Sequence, residues 1–174
     1  MLDEARQPQD RRRSRWVETH QPPIARPGRN AMWGRWILSA AALGNAVLQW
    51  VDDYNSTHIF NPAFTPHAKF HDGITISLAS ILGVLALIYL WSPGYDRERL
   101  RTAALFAGVW WAGAAGAFLF PGASHRDAQF AADVPHLFGM PIDLRTIVPT
   151  MIAVVALGYI VERRRLTNPF PRQS

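Results

Sequence analysis

The chain has 174 residues, no cysteine, an apolar fraction of 49% and a charged fraction of 18%. The length predicts one domain, and the absence of cysteine excludes disulfides, thiolate metal sites and cysteine nucleophiles. The formal net charge of +5 comes from arginine and a single lysine, and the placement of these residues along the chain says more than their sum.

Four apolar runs, almost free of charged residues, divide the chain at residues 33–51, 73–91, 102–120 and 146–161. A helix of 19 residues, the length of the first three runs, spans about 28 Å, close to the ~30 Å hydrocarbon core of a bilayer. The runs predict an all-α integral membrane four-helix bundle, with long outer loops between spans 1 and 2 and between spans 3 and 4. The predicted parts are a disordered Arg/Pro-rich tail over residues 1–30, a membrane domain over 31–165 and a second tail over 166–174.

The arginines lie mostly on one side of these spans. Residues 1–35 hold eight, the loop after span 2 holds three and the C-terminal tail holds four. The outer loops hold only Lys69, Arg126 and Arg145. Because cytoplasmic loops carry an excess of Lys and Arg, the sequence predicts a multi-pass protein with both termini in the cytoplasm. Basic tails also suit anionic lipid headgroups, so the predicted partner is the lipid bilayer and not nucleic acid.

Span 1 carries a polar stripe that continues just beyond its end. Asn45 and Gln49 lie within the span and Asp53 follows it; the three are four residues apart and so lie on one helix face. Polar groups at that depth are costly against lipid, so this face is expected to point into the bundle.

Span 2 is predicted to begin above the membrane. Thr65 followed by Pro66 has the pattern of a helix start, with threonine as the N-cap and proline in the first position. His67 and His71 then share one face of the first turns. The positive end of the helix dipole disfavours protonated imidazole there, so both rings are expected to be neutral.

Span 3 has small residues, Gly108, Ala112 and Gly116, at four-residue intervals. This pattern is typical of a close helix–helix packing face. Tryptophans near the ends of the spans fit the aromatic belts of membrane proteins; they are Trp33, Trp36, Trp50 and Trp91.

The outer loops collect five of the six histidines together with several aspartates. Imidazole and carboxylate ligands suit a divalent transition metal such as Zn, Fe or Cu. The candidate metal ligands are Asp53, His58, His67, His71 and His136, with His125 as a further neighbour. The candidate catalytic residues are Asp53, His67, Lys69 and His71.

Three functions are compatible with this collection. The first is a metal-dependent membrane enzyme that acts on a hydrophobic small molecule or lipid. The second is a metal-free isomerase or cyclase, in which His and Asp exchange protons with a lipid-soluble substrate. The third is a non-catalytic membrane module that binds a ligand or partner through the outer loops.

The segment T-H-I-F-N-P-A-F-T-P-H-A-K-F-H-D, residues 57–72, resembles the signature of a family of small, four-span membrane proteins of unknown function. The matching positions are Thr57, His58, Asn61, Pro62, Pro66, His67, Ala68, Lys69, Phe70 and His71. The resemblance implies a four-helix membrane domain with this loop as its hallmark, and it brings no activity with it. Phe64 stands where that signature is expected to have a tryptophan.

Overall fold

The computed structural model describes residues 32–167. Within this range the main elements are the helices α1 (Trp33–Asp53), α2 (Pro66–Trp91), α3 (Arg97–Ala117) and α4 (Leu144–Thr167). The loop before α4 holds a 3-10 helix, Ala128–Asp133, and a hairpin of two short strands, β1 (His136–Leu137) and β2 (Met140–Pro141). The predicted N-terminal tail and residues 168–174 of the predicted C-terminal tail lie outside the described residues.

The four helices alternate in direction, and each packs against two neighbours. Helices α1 and α3 both lie against α2 and α4. The prediction of an all-helical fold is confirmed for residues 32–167. By length and composition, α2 and α4 are the two helices among these that could cross a membrane.

The helix starts follow from local capping. The Thr65 hydroxyl accepts the Ala68 N–H at 3.2 Å with Pro66 in the first position of α2, so the predicted start of this helix is confirmed. The carboxylate of Asp96 accepts the Arg99 N–H at 2.9 Å at the start of α3.

The apolar core occupies one half of the bundle, which we call the closed end. It contains the start of α1, the end of α2, the start of α3 and the end of α4, with Leu38, Leu90 and Leu100 fully buried. The helices approach closely there. A Cβ added to Gly34 would lie 2.4 Å from the backbone nitrogen of Glu162. One added to Gly83 would lie 2.5 Å from the backbone oxygen of Ala42.

The predicted small-residue face of α3 is not where the helices approach most closely. A Cβ on Gly108 would meet Val155 at an ordinary 3.4 Å, and one on Gly116 would meet nothing within 4 Å. The inward face of α3 runs instead through Ala103, Ala107 and Trp111, which are fully buried.

A buried carboxylate ties α4 to α1 at the closed end. Helix α1 has no acidic residue in its first turn and no side-chain cap at Met32. Glu162 of α4 is fully buried and accepts the Arg35 backbone N–H at 3.2 Å and the Arg165 Nε–H at 2.9 Å. It therefore supplies the anion that the N-terminus of α1 lacks.

Arg35 extends this connection to α2. Its Nε donates to the backbone oxygen of Leu90 at 2.6 Å. Its guanidinium lies 4.5 Å from the ring centre of Trp91 and 4.2 Å from that of Tyr95. The closed end thus joins three helices through polar contacts as well as apolar packing.

Candidate functional site

A cleft opens at the other end of the bundle, where α1 and α3 finish and α2 and α4 begin. Its inner part has a volume of about 530 Å³ and a mainly apolar wall from α2 and α3, including Leu78, Leu82 and Val109. Its outer part has a volume of about 460 Å³ and a more polar wall from the two loops. Asp53 and His58 line both parts, so the two volumes form one amphipathic cleft.

The polar stripe of α1 leads into this cleft. Asn45 is fully buried, Gln49 is 3% exposed and Asp53 is 8% exposed, which confirms the predicted inward face. Gln49 lines the inner part of the cleft. The side-chain nitrogen and oxygen of Asn45 have no hydrogen-bond partner within residues 32–167.

The loop after α1 fixes the ring of His58 through hydrogen bonds that begin at Asn55. The Nδ2 group of Asn55 donates to two backbone carbonyls of the preceding turn, at 3.0 and 2.6 Å. This leaves Oδ1 of Asn55 to accept the Thr57 hydroxyl at 2.6 Å. Because the one hydroxyl proton of Thr57 is used there, its oxygen accepts from Nδ1 of His58 at 2.8 Å. The Nε2 atom of neutral His58 is therefore the unprotonated nitrogen, which can take up a proton.

Asn61, another position of the quoted signature, closes the same loop. It is buried, its Nδ2 donates to the Thr57 backbone oxygen at 3.1 Å, and its Oδ1 accepts the Ala63 N–H at 2.9 Å. Thr57 and Asn61 thus hold the loop in the shape that presents His58 to the cleft.

Asp53 faces His58 across the cleft wall. Its Oδ1 lies 3.9 Å from His58 Nε2. Burial raises the pKa of Asp53 from its usual 3.8 to about 6; His58 opposes this rise, while the carboxylates of Asp52 and Asp72 add to it. A carboxyl group with a pKa close to neutral can both give and take a proton at physiological pH. Asp53 and His58 therefore form a candidate acid/base pair.

Replacing Asp53 with asparagine is expected to raise thermal stability near pH 7.5 and to change it little near pH 4. The folded-state pKa of about 6 lies above the usual 3.8, so the folded protein binds this proton more tightly. The contribution of Asp53 favours folding at low pH and is lost as the pH rises through 6, whereas asparagine carries no such proton. The measurement is the thermal midpoint of both proteins in detergent across this pH range. An equal shift at both ends of the range would contradict the burial of a charged Asp53.

A second imidazole lines both parts of the cleft. His125 Nε2 lies 3.3 Å from Oδ2 of Asp143, whose side chain is fully buried. Arg145 donates to the same oxygen from Nε at 3.0 Å and from Nη2 at 2.6 Å. The hydrogen bond from the Arg145 side chain holds the pKa of Asp143 down at about 2, against the opposing effect of burial. A charged carboxylate therefore orients His125 at neutral pH.

The predicted histidine pair lies outside the cleft. His67 and His71 share one face of α2, as predicted, with their Nε2 atoms 3.1 Å apart. Both are exposed, and neither lines either part of the cleft. Asp53 and these two histidines, all named above as candidate metal ligands and catalytic residues, therefore do not line one cleft.

The reason is the helical repeat of α2. Its inward side carries Asp72, which lines the cleft, and Ile76, which is buried. At 3.6 residues per turn, His71 is turned by about 100° from Asp72 around the helix axis, so the pair faces outward. Lys69 and His136 also line neither part of the cleft, and His136 is exposed in β1.

The predicted metal ligands are dispersed. Asp53 and His58 are in the cleft, while the other predicted ligands are on α2 and in the hairpin. In the part of the chain that the structure describes, His, Asp and Glu side chains form no group of three that could hold a metal ion. A transition-metal site needs three or four converging donors, and the predicted ligands do not converge on one point of this cleft.

Two residues at the cleft were not among the predicted site residues. Sequence reasoning selected His136 and left His125 as a neighbour. It placed Asp143 among the aspartates of the same outer side without choosing it as a site residue. One signal was present: Asp143 directly precedes an apolar helical run, the position of an N-cap, and its Oδ1 accepts the Arg145 backbone N–H at 2.9 Å. His125 contacts the Asp143 carboxylate from across the loop. No pattern in the residues around His125 predicts this contact.

Comparison with known proteins gives a family and no activity. Residues 37–172 match the model of a family of unknown function, DUF6640. Neither the curated proteins nor the solved structures contain a match to the chain.

Proposed function

This chain belongs to the family of unknown function DUF6640, and we propose that it is a four-span membrane protein that binds and acts on an amphipathic small molecule. The bound molecule lies in the cleft with its polar end at Asp53 and His58. These two residues exchange a proton with it, as in a membrane isomerase or cyclase. The observation that carries this proposal is the position of the Asp53–His58 pair where the apolar and polar parts of one cleft meet.

The distribution of apolar and polar side chains supports a location in a membrane. Small and polar residues such as Ala41, Ala79 and Asn45 occupy the interior, while Ile81, Ile88 and many other large apolar residues are exposed. Only 28% of the apolar stretch of α2, and 17% of the apolar stretch of α4, is buried inside the protein. A core helix of a soluble protein buries most of its apolar surface, so these exposed faces suit contact with lipid.

The tryptophans and arginines support an orientation. Trp33, Trp36 and Trp91 are exposed at the closed end, and Trp50 is exposed at the other end, as in two aromatic belts. Arginine is concentrated in the segments that flank the closed end. By the positive-inside rule, the closed end faces the cytoplasm and the cleft faces the opposite side.

The chemistry follows from the two side chains. Nδ1 of His58 is bound to the Thr57 hydroxyl, so Nε2 is the ring nitrogen that faces Asp53. Burial brings the pKa of Asp53 to about 6. One group can take a proton from a substrate while the other returns a proton at another position, which is the requirement for an isomerisation. The apolar wall excludes water from the reacting part of the substrate.

A cavity-filling variant tests the proposal. Gly113 lines the inner part of the cleft, and a Cβ added there meets nothing within 4 Å. Gly113→Phe is expected to fill this space and to abolish co-purification of a small apolar molecule, read by native mass spectrometry of the full chain in detergent. Gly116→Phe is the matched control, because Gly116 is also open but does not line the cleft. The absence of any bound molecule from the wild type and both variants would contradict the proposal.

The same measurement separates an enzyme from a binding module. Asp53→Asn leaves the apolar part of the cleft intact and removes the acid/base group. If the protein is an enzyme, the variant is expected to retain a molecule with a different structure from the one found with the wild type. If the protein only binds, the two bound molecules are identical.

A further inference from the structure

We propose that the molecule bound in the cleft is a cationic amphiphile, with an ammonium head at Asp53 and Asp72 and one apolar chain between α2 and α3. This inference rests on the proposed function, because it names the class of ligand that the same cleft takes. It concerns the sign of the charge on the head, which the proton-transfer chemistry alone does not fix.

The charge of the cleft wall is the first observation. Five carboxylates line its outer part, those of Asp52, Asp53, Asp72, Asp127 and Asp143. Among the described residues, Asp143 is paired with Arg145, and the other four have no arginine bound to them. Arg126 is the one described arginine that lines this wall. A chain with a net charge of +5 thus presents a cleft of the opposite sign, and such a wall raises the local concentration of cations.

The second observation, which does not depend on the number of carboxylates, is that Asp53 and Asp72 lack hydrogen-bond donors in the described part of the chain. Asp53 is more than nine-tenths buried and lines both parts of the cleft. Within residues 32–167 no hydrogen-bond donor contacts its carboxylate, and the nearest basic side chain is that of His58, whose Nε2 lies 3.9 Å away. Oδ2 of Asp72 is also buried without a partner in the same range. Buried carboxylate oxygens are normally paired, and an ammonium group brings three N–H donors and the required charge.

The raised pKa of Asp53 reflects its surroundings. Its first cause is burial, and Asp52 and Asp72 add to it. A positive charge bound between these carboxylates would offset their mutual repulsion. A carboxylate or phosphate head would instead meet the like charges of the wall.

The residues of the inner wall indicate where the apolar chain of the ligand lies. Leu78 of α2 and Val109 of α3 both line the cleft and are 48% and 42% exposed. The inner cleft is therefore accessible along an apolar opening between these two helices. Gly113 and Ala114 line the same opening, and their small size leaves room for an alkyl chain that enters from the lipid.

Binding of three ligands with the same chain and different heads tests the inference. Dodecylamine, dodecanol and dodecanoate are titrated into the full chain in nanodiscs of zwitterionic lipid near pH 7.5, with empty nanodiscs as the blank. We expect the amine to bind at least tenfold more tightly than the alcohol, and dodecanoate to bind more weakly than either. Asp53→Asn is expected to reduce the preference for the amine several-fold. Glu98→Gln, which removes one exposed negative charge from the closed end, is expected to leave the preference unchanged.

The outcomes separate this inference from the proposed function. Equal affinities for the three ligands, or a preference for dodecanoate, would overturn the cationic head while leaving an apolar ligand site in place. A preference for the amine that persists in Asp53→Asn would also overturn the assignment of the head to this carboxylate. If none of the three binds and Gly113→Phe changes nothing, both the inference and the proposed function fail.

Discussion

Gly34→Ala is expected to destabilise the protein by about 3 kcal/mol, the upper part of the usual cost of inserting atoms into a well-packed interior. The added Cβ would lie 2.4 Å from the backbone nitrogen of Glu162 and 2.7 Å from the backbone oxygen of Gly158. Backbone atoms cannot move aside as a flexible side chain can, so α1 and α4 must separate. For a chain of this size, the thermal midpoint in detergent should fall by about 6–12 °C.

Gly116→Ala provides the control for this substitution. It adds the same methyl group to another helical glycine, where a Cβ meets nothing within 4 Å. Alanine is a better helix former than glycine by roughly 0.5–1 kcal/mol, so this midpoint should stay the same or rise slightly. Similar losses in the two variants would show that the close approach at Gly34 does not determine stability.

Glu162→Ala is expected to cost about 3–5 kcal/mol, the range for removing one partner of a buried ion pair. The carboxylate is fully buried, and its loss leaves the Arg35 backbone N–H and the Arg165 guanidinium without their acceptor. Glu162→Gln keeps an oxygen acceptor without the charge, so an intermediate loss is expected. Thermal unfolding in detergent, monitored by circular dichroism, gives the three midpoints.

The chain contains a matched control for this prediction. Glu98 and Arg101 form the same kind of pair, three residues apart on one helix, but both side chains are more than half exposed. Exposed pairs contribute about 0–1 kcal/mol, so Glu98→Ala should change the midpoint little. If Glu98→Ala and Glu162→Ala lower the midpoint equally, burial of Glu162 is not the cause of its effect.

Sequence reasoning succeeded where a local pattern determines the structure. The start of α2 at Pro66 depends on two adjacent residues, and both act as their chemistry predicts. The inward stripe of Asn45, Gln49 and Asp53 depends on the helical repeat and on the cost of exposing polar groups to lipid. Both arguments use only information that lies close together in the chain.

Sequence reasoning failed where the position of a side chain depends on how the helices pack against one another. The repeat placed His67 and His71 on one face of α2, but it could not say that this face points outward. Sequence reasoning gave no structural role to Glu162, which three arginines follow at the end of the last apolar run. Its burial against the glycine at position 34 of another helix is a tertiary contact with no sign in the neighbouring residues.

The two ends of the bundle are packed unequally, so the closed end can serve as a pivot for movement at the cleft end. Backbone contacts at Gly34 and Gly83 hold the helices together at and near the closed end, while Gly113 and Gly116 beside or near the cleft have open space around them. Small tilts of the helices about these contacts would widen or narrow the cleft while the tightly packed closed end stays in place. The displacement would be greatest at the cleft end, where Asp72 lies near the start of α2 and His58 in the loop after α1. A tilt would therefore change the spacing of these polar groups first.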